Sequence, residues 1–417
     1  MLPNAGEDSR LRLPEIFIIY RRLDRARPER PIDLTRHDRL IMIDKTLLFP
    51  YWAALKCRHF MYDHGFKKVH SADVPTICIG NVTVGGTGKT PHTEMILRML
   101  QEDFEWKDRN LAVLSRGYKR KTRGFQQVTS DGSAKAYGDE PMQIKSKFPD
   151  VTVAVCKSRV LGCDFLAHPE KLQTSKKARR CRNKDIPAAD LIILDDAFQH
   201  RALKPSVSIL LINHDHPVVT DHLMPVGKLR DLPERVSTAD IVIITKCSKD
   251  IDPWQKIKWA ESVGILGYDS SLGYGFRKDG TKQYLFFTTV GYDAALPVFP
   301  EGDMRYVYSK KLILFSGIAN DKPLRHYLSS SYNIIRHLVF ADHHKFSRSD
   351  MGLILKEARI NPTSVAMTTE KDSQRVRDCA KLPDSFKKRV FYTPIKSYFV
   401  SEQDQQLFHN ILTSFLK

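Results

Sequence analysis

The chain has 417 residues, room for two or three domains, and its 42% hydrophobic and 27% charged content rules out wholesale disorder. A formal net charge of +18 suits an anionic partner: nucleic acid, a negatively charged membrane surface or a phosphorylated substrate. The seven cysteines are scattered with no C-x-x-C pair, which argues against a disulfide framework and a zinc site and fits a reducing cytoplasm. The N-terminus lacks a signal-peptide core, and no apolar run approaches the roughly 20 residues of a spanning helix. The expectation is an intracellular protein that does not cross a membrane.

Residues 1–41, rich in Arg, Asp and Pro, read as a loosely ordered extension. The stretch "DKTLLFPYWAALKCRHFMYDHGFKK" then reads as a helix with Pro50 near its first turn. Its Phe49, Tyr51, Trp52, Phe60 and Tyr62, set among Lys56, Arg58, Lys67 and Lys68, suit either a helix lying in a membrane interface or one packed on the domain core. From Val74 onward, apolar runs recur: "PTICIGNV", "NLAVLSRG", "VTVAVC", "ADLIILDD", "VSILLIN" and "ADIVIITK". Continuous apolar strands separated by helical or loop segments indicate an α/β fold with a mostly parallel sheet buried on both faces. The basic run Lys171 to Asp185 reads as a solvated insertion, or alternatively as an anion-binding patch. Aromatic β-like segments, "QYLFFTTV" and "MRYVYS", suggest a β linker, after which a second α/β pattern starts at "KKLILFSGIAN". The expected divisions are 1–41, a larger domain over 42–282, a β linker over 283–309 and a smaller α/β domain over 310–417.

The stretch "TVGGTGKTP" carries the chemistry. Thr83, Val84, Gly85, Gly86, Thr87, Gly88, Lys89 and Thr90 follow a strand and precede an apolar-periodic helix, the context a phosphate-binding loop requires. Thr83 stands where the pattern G-x-x-x-x-G-K-[ST] has its first glycine. Backbone N–H groups and the helix N-terminus would cradle phosphates, Lys89 would reach the β- and γ-phosphates, and the Thr90 hydroxyl would bind Mg²⁺. "LIILDDAFQH" ends a strand in Asp195 and Asp196, either of which would hold Mg²⁺ directly or through water. Gln199 and His200 follow on the same turn, in reach of nucleotide or acceptor. "YGDEP" offers Asp139 and Glu140 as carboxylates able to orient an acceptor hydroxyl and take its proton late. "ADHHKF" supplies His343 and His344, for a metal or for reaching across an interdomain cleft.

Taken in order, "GNVTVGGTGKTP", "LSRGYKR", "YGDEP", "DDAFQHRAL", "GKLRDLP", "FSGIAN", "ADHHKF" and "TTEKD" resemble the tetraacyldisaccharide 4′-kinase family, from about Lys45 to the C-terminus. The family's loop carries Thr at the position of Thr83. The resemblance implies a P-loop NTPase-type kinase domain joined to a smaller α/β domain, with ATP and Mg²⁺ as cofactors. It implies phosphorylation of the 4′-hydroxyl of a lipid A disaccharide 1-phosphate precursor by a peripheral monomer. The place would be the anionic surface at the cytoplasmic face of the bacterial inner membrane, reached through a docking helix over residues 46–68. Carried over residue by residue, Asp139 matches the catalytic carboxylate and His343 its partner. Glu140, Asp195 and Asp196 fall at metal positions, and Arg116 and Arg230 match arginines near anionic groups. "RDLP" departs from the pattern, with Asp231 in place of a glutamate. The run 171–185 and the first 40 residues have no counterpart.

Two rivals come from other classes. A metal-insertion GTPase shares the loop type and would use "NHDHP", but "TKCSKD" lacks Asp at the spacing that reads guanine. A nucleic-acid-dependent ATPase would use the charge, yet no nucleic-acid-binding signature accompanies it.

Overall fold

The computed structural model describes residues 34–379 and 382–417, with side chains from Leu48 onward. The expected extension over 1–33 lies outside the described residues. The first described element is helix α1, Leu34–Asp63, so residues 34–41 are helical rather than loosely ordered: no Gly or Pro interrupts the chain from Leu34 to Phe49. Pro50 is inside this helix, not in its first turn. The chain divides there, and Pro50–Lys417 forms one compact unit.

All six apolar runs form strands, and they meet in one 11-stranded sheet. In chain order the labelled elements are β1 (Thr76–Gly80), α2 (Lys89–Glu102), β2 (Leu111–Ser115), α3 (Asp139–Lys147), β3 (Thr152–Val155), α4 (Arg159–Ala167), β4 (Leu191–Asp195), β5 (Val207–Asn213), β6 (Ile241–Thr245) and β7 (Lys282–Tyr292). Across the sheet the order is β7, β6, β5, β1, β4, β2, β3, every pairing parallel. Strands β1, β2, β4 and β6 are buried along their whole length, as continuous apolar runs require when helices cover both faces. The basic insertion covers an edge of this sheet. Gln126, on the strand beside β3, donates to the Arg180 carbonyl and accepts from the Arg182 amide, while Leu172, Ala178 and Cys181 are buried beneath the run.

A second, five-stranded sheet is built on β8 (Lys311–Ser316), β9 (Asn333–Val339), β10 (Val365–Thr369) and β11 (Val390–Thr393), parallel in the order β11, β10, β8, β9. Helix α5, Glu370–Arg377, leaves the end of β10. The linker is drawn differently from the expectation. "QYLFFTTV" is indeed the long strand β7, but Met304–Tyr308 is a 3₁₀ helix. The Asp303 carboxylate accepts from the Arg305 amide, a local bond that competes with strand pairing. The partner of β7 is β12, Ile395–Phe399, paired antiparallel from Thr288↔Phe399 to Tyr292↔Ile395. From there the chain returns to the larger sheet. Helix α6, Glu402–Ser414, places Phe408, Ile411 and Leu412 in the same core as Ile77, Ile96 and Leu100. Both sheets belong to the single unit Pro50–Lys417.

Candidate functional site

The glycine loop joins β1 to α2. Gly85 and Gly86 have φ of 71° and 67°, a left-handed backbone that L side chains rarely adopt, with open space where a Cβ would stand. Thr83 has no such requirement. It forms an antiparallel bridge with Leu229, flanked by Val84 N–H to the Lys228 carbonyl at 2.7 Å and Arg230 N–H to the Val82 carbonyl at 2.8 Å. The position therefore needs no glycine, and the bridge brings "GKLRDLP" against the loop. Gly88 is the left-handed N-cap of α2, whose first amides lack side-chain partners.

Around the loop the polar side chains form one network. The Lys89 ammonium is 3.4 Å from Asn81 Oδ1 and 3.7 Å from Asp196 Oδ1. Arg230 Nη1 donates to Asp196 Oδ2 at 3.2 Å, and its Nη2 donates to Asp196 Oδ1 and to Asn81 Oδ1. Burial pushes the Lys89 ammonium below its ordinary value, against the pull of Asp196. Burial would raise Asp196, but Lys89 and Arg230 hold it below the usual carboxylate range. Asp195, 4% exposed, has the opposite fate: burial and the neighbouring Asp196 charge push it up to about 6. Its Oδ1 is buried without a partner. Arg159, at the start of α4, donates to the carbonyls of both Asp195 and Asp196 at 3.1 and 3.2 Å, pinning the turn. Asp196 itself has φ of 50°, a strained conformation of the kind that collects at functional sites.

The "YGDEP" carboxylates start α3 and meet residues of the smaller sheet. His343 Nδ1 is 3.4 Å from Asp139 Oδ2, so the two sequence candidates do come together, and His343 too is left-handed, with φ of 59°. The principal partner of Asp139, however, is Arg375, whose Nε and Nη2 donate to Oδ2 at 2.9 and 2.5 Å. Burial would raise the Asp139 carboxyl; Arg375 and His343 beside it bring it down to about 2 instead. Lys371 is 2.6 Å from Glu140 and, against burial, holds that carboxyl below its ordinary value. Glu370, from the same helix, is 2.5 Å from Lys147, which also pairs with the buried Glu94 of α2 at 2.6 Å. Helix α5 thus meets α3 through three ion pairs. His344 is turned away, with Nε2 2.8 Å from Asp350. Among the described residues, no group of three or more His, Cys, Asp and Glu converges on a metal position.

The remaining candidates lie toward α1. Gln199 donates its side-chain amide to the Asn81 carbonyl and accepts at its own carbonyl from Arg58 at 2.5 Å. Tyr51 donates to the Arg230 carbonyl at 2.9 Å, and Lys56 pairs with Glu234 at 3.1 Å. Asp231 is fully buried and 2.7 Å from His59 Nε2, so this carboxylate anchors the helix instead of reaching into the site. His200 lines a cavity of about 300 Å³ with Arg159, Arg201, Lys204 and Arg235. Burial, then the charges of Arg159, Arg58 and Arg116, lower its imidazole to about 4, leaving it neutral. Arg116 is exposed at the end of β2. Sequence reasoning had assigned no role to Asn81, Arg159, Lys371 or Arg375. The signal for the last two was "TTEKD" itself: an acid-base-acid run opening a helix, with Arg375 one turn after Asp372.

A parallel strand, glycine loop and helix, with acids ending the adjacent strand where Ile79 pairs with Asp195, define a P-loop NTPase-type α/β protein. Residues 45–416 match the model of the family described as tetraacyldisaccharide-1-P 4′-kinase. A tetraacyldisaccharide 4′-kinase of Phocaeicola vulgatus is 37% identical over 387 residues, 91% of this chain and 96% of that protein. One of Parabacteroides distasonis is 35% identical over 380 residues, covering 88% and 94% respectively. The chain belongs to the tetraacyldisaccharide 4′-kinase family. Its fold is also that of the crystallised "apo" form of LpxK from Aquifex aeolicus in complex with ATP, with a TM-score of 0.62 at 22% identity, covering 89% of this chain and 99% of that one.

Proposed function

We propose that this chain transfers the γ-phosphate of ATP to the 4′-hydroxyl of a tetraacyldisaccharide 1-phosphate, a lipid A precursor. The observation that carries the reading is the approach of Asp139 and His343 to within 3.4 Å on the same unit as a glycine loop whose Lys89 sits beside Asp196. The loop amides and the start of α2 receive the phosphates, and Lys89 and Arg230 neutralise charge as it moves onto the leaving oxygens. Asp139 orients the acceptor hydroxyl and takes its proton late. A carboxylate held near 2 can serve, because in a loose transition state the hydroxyl becomes acidic only as the bond forms.

The oxygen donors here are of the chemistry a hard divalent cation takes, and the ion would have to draw them together. Asp195 presents a buried oxygen without a partner, Asp196 and Glu140 are carboxylates, and the Thr90 hydroxyl opens α2. Bound there, Mg²⁺ would screen the phosphate oxygens during transfer. The α1 segment from Tyr51 to Asp63 docks peripherally on an anionic inner-membrane surface. Trp52, Lys56 and Phe60 share one face; Trp52 and Phe60 are 41% and 53% exposed, while Leu55 and His59 are buried. Among the described residues no helix is long and apolar enough to cross a membrane.

The test is incubation with γ-labelled ATP, Mg²⁺ and a lipid A disaccharide 1-phosphate in detergent micelles. Label is expected on the acceptor. Hydrolysis without transfer, or transfer from GTP in preference to ATP, would sink the reading.

A further inference from the structure

Four of the sequence motifs converge on one guanidinium. Arg375, 7% exposed, spends its donors on Asp139 of "YGDEP" (Nε and Nη2), His343 Nδ1 of "ADHHKF" (Nη2, 3.1 Å), and the Gly317 carbonyl of "FSGIAN" together with Asp372 Oδ1 of "TTEKD" (Nη1, 3.1 and 2.8 Å). The fully buried Asp372 is fixed in turn by the Gly317 amide at 2.8 Å and the Thr369 hydroxyl at 2.7 Å. Gly317 also accepts, at its carbonyl, from the His343 amide at 3.0 Å.

The chemistry of these groups orders the pair. A guanidinium only donates, so His343 Nδ1 accepts from Arg375 with its lone pair, carries no proton, and cannot donate to Asp139. The 3.4 Å approach of His343 to Asp139 is therefore not the bond that aligns them. Among the described residues, every hydrogen bond and ion pair of the Asp139 carboxylate, from Arg375 and His343 alike, falls on Oδ2. Oδ1 is left for the acceptor hydroxyl.

Building on the kinase reading above, we infer that Arg375 is the positioning residue of the phosphoryl transfer. It bridges Asp139 to His343 and holds the carboxylate with one oxygen turned to the acceptor. A lysine cannot reproduce the role in full, since it offers a point charge where the guanidinium holds four groups in a fixed plane.

The experiment is a double-variant cycle on the full chain, with γ-labelled ATP and the micellar acceptor. Arg375→Ala should lower kcat about 10- to 100-fold, the loss seen when a partner that orients a metal ligand is removed, with KM for ATP nearly unchanged. Arg375→Lys should fall between, and added guanidinium should restore part of the Arg375→Ala loss. In an Asp139→Asn background, Arg375→Ala should cost almost nothing further, because it acts through Asp139. Normal kcat in Arg375→Ala, or a loss undiminished in the Asp139→Asn background, overturns the inference. If Arg375→Ala fails to bind ATP or to fold, the cycle is run with Arg375→Lys, where the same two outcomes decide. No transfer by the unsubstituted chain would instead overturn the kinase reading on which this rests.

Discussion

His92 gives a sharp test of how the loop is tied to the rest of the molecule. It is fully buried in α2, with Nδ1 2.7 Å from the Gly88 carbonyl and Nε2 2.9 Å from the Thr288 hydroxyl of β7. A carbonyl only accepts, so Nδ1 carries the proton and Nε2 accepts from Thr288. Burial lowers the imidazole from 6.5 to about 4, outweighing the Gly88 carbonyl, which favours the charged ring. The sign follows from proton counting. Between pH 6.5 and 4 the unfolded chain binds a proton that the folded chain does not. The contribution is full above 6.5 and lost as pH falls through the folded value. At about 1.36 kcal/mol per unit, the loss is roughly 3 kcal/mol. In His92→Phe, Gly88 keeps its bond from the residue-92 amide, but the buried Thr288 hydroxyl loses its partner, at a cost of about 1–3 kcal/mol near neutral pH. Urea unfolding of both proteins near pH 7.5 and pH 4.5 is the assay. The variant should be the less stable at the higher pH, and the gap should vanish or invert at the lower. A gap that does not change with pH refutes the requirement for a neutral ring.

Three further outcomes are expected. Lys89→Ala and Thr90→Ala should each remove most turnover in the micellar assay; near-normal kcat in both would displace the nucleotide from this loop. Thr83→Gly should leave kcat close to unchanged while costing about 0.5–1 kcal/mol in denaturant melts, because an extended residue becomes glycine. Trp52→Asp and Phe60→Asp should each weaken cosedimentation with anionic vesicles by roughly tenfold or more, the loss of one inserted aromatic. Equal binding by the doubly substituted chain would leave α1 a purely packing helix.

Six strands of the larger sheet were legible because each is a continuous apolar run, and burial on both faces selects for that pattern. The loop was legible for a different reason: backbone that must take positive φ needs glycine, as at Gly85 and Gly86. What the sequence concealed depends on contacts between distant residues. The pairing of β7 with β12 joins Thr288 to Phe399, and nothing local to "IKSYF" says which strand it meets. Met304–Tyr308 looked like a strand by composition and was turned by a single aspartate. Arg375 was given no role, because its value lies in four partners that the fold brings from elsewhere. Asp231 was singled out as a substitution in a motif, and only the packing of α1 explains its burial against His59.

The return of the chain through β12 and α6 has a consequence for biosynthesis. Phe408, Ile411 and Leu412 fill the same core as Ile77 and Ile96, yet they leave the ribosome only after the whole smaller sheet has been made. While that sheet emerges, the nascent larger one has its phosphate loop in hand but an apolar flank still uncovered, a surface for chaperones or for aggregation. A premature stop anywhere between β11 and α6 would therefore do its damage far from the lost residues, by leaving the oldest part of the polypeptide unsealed.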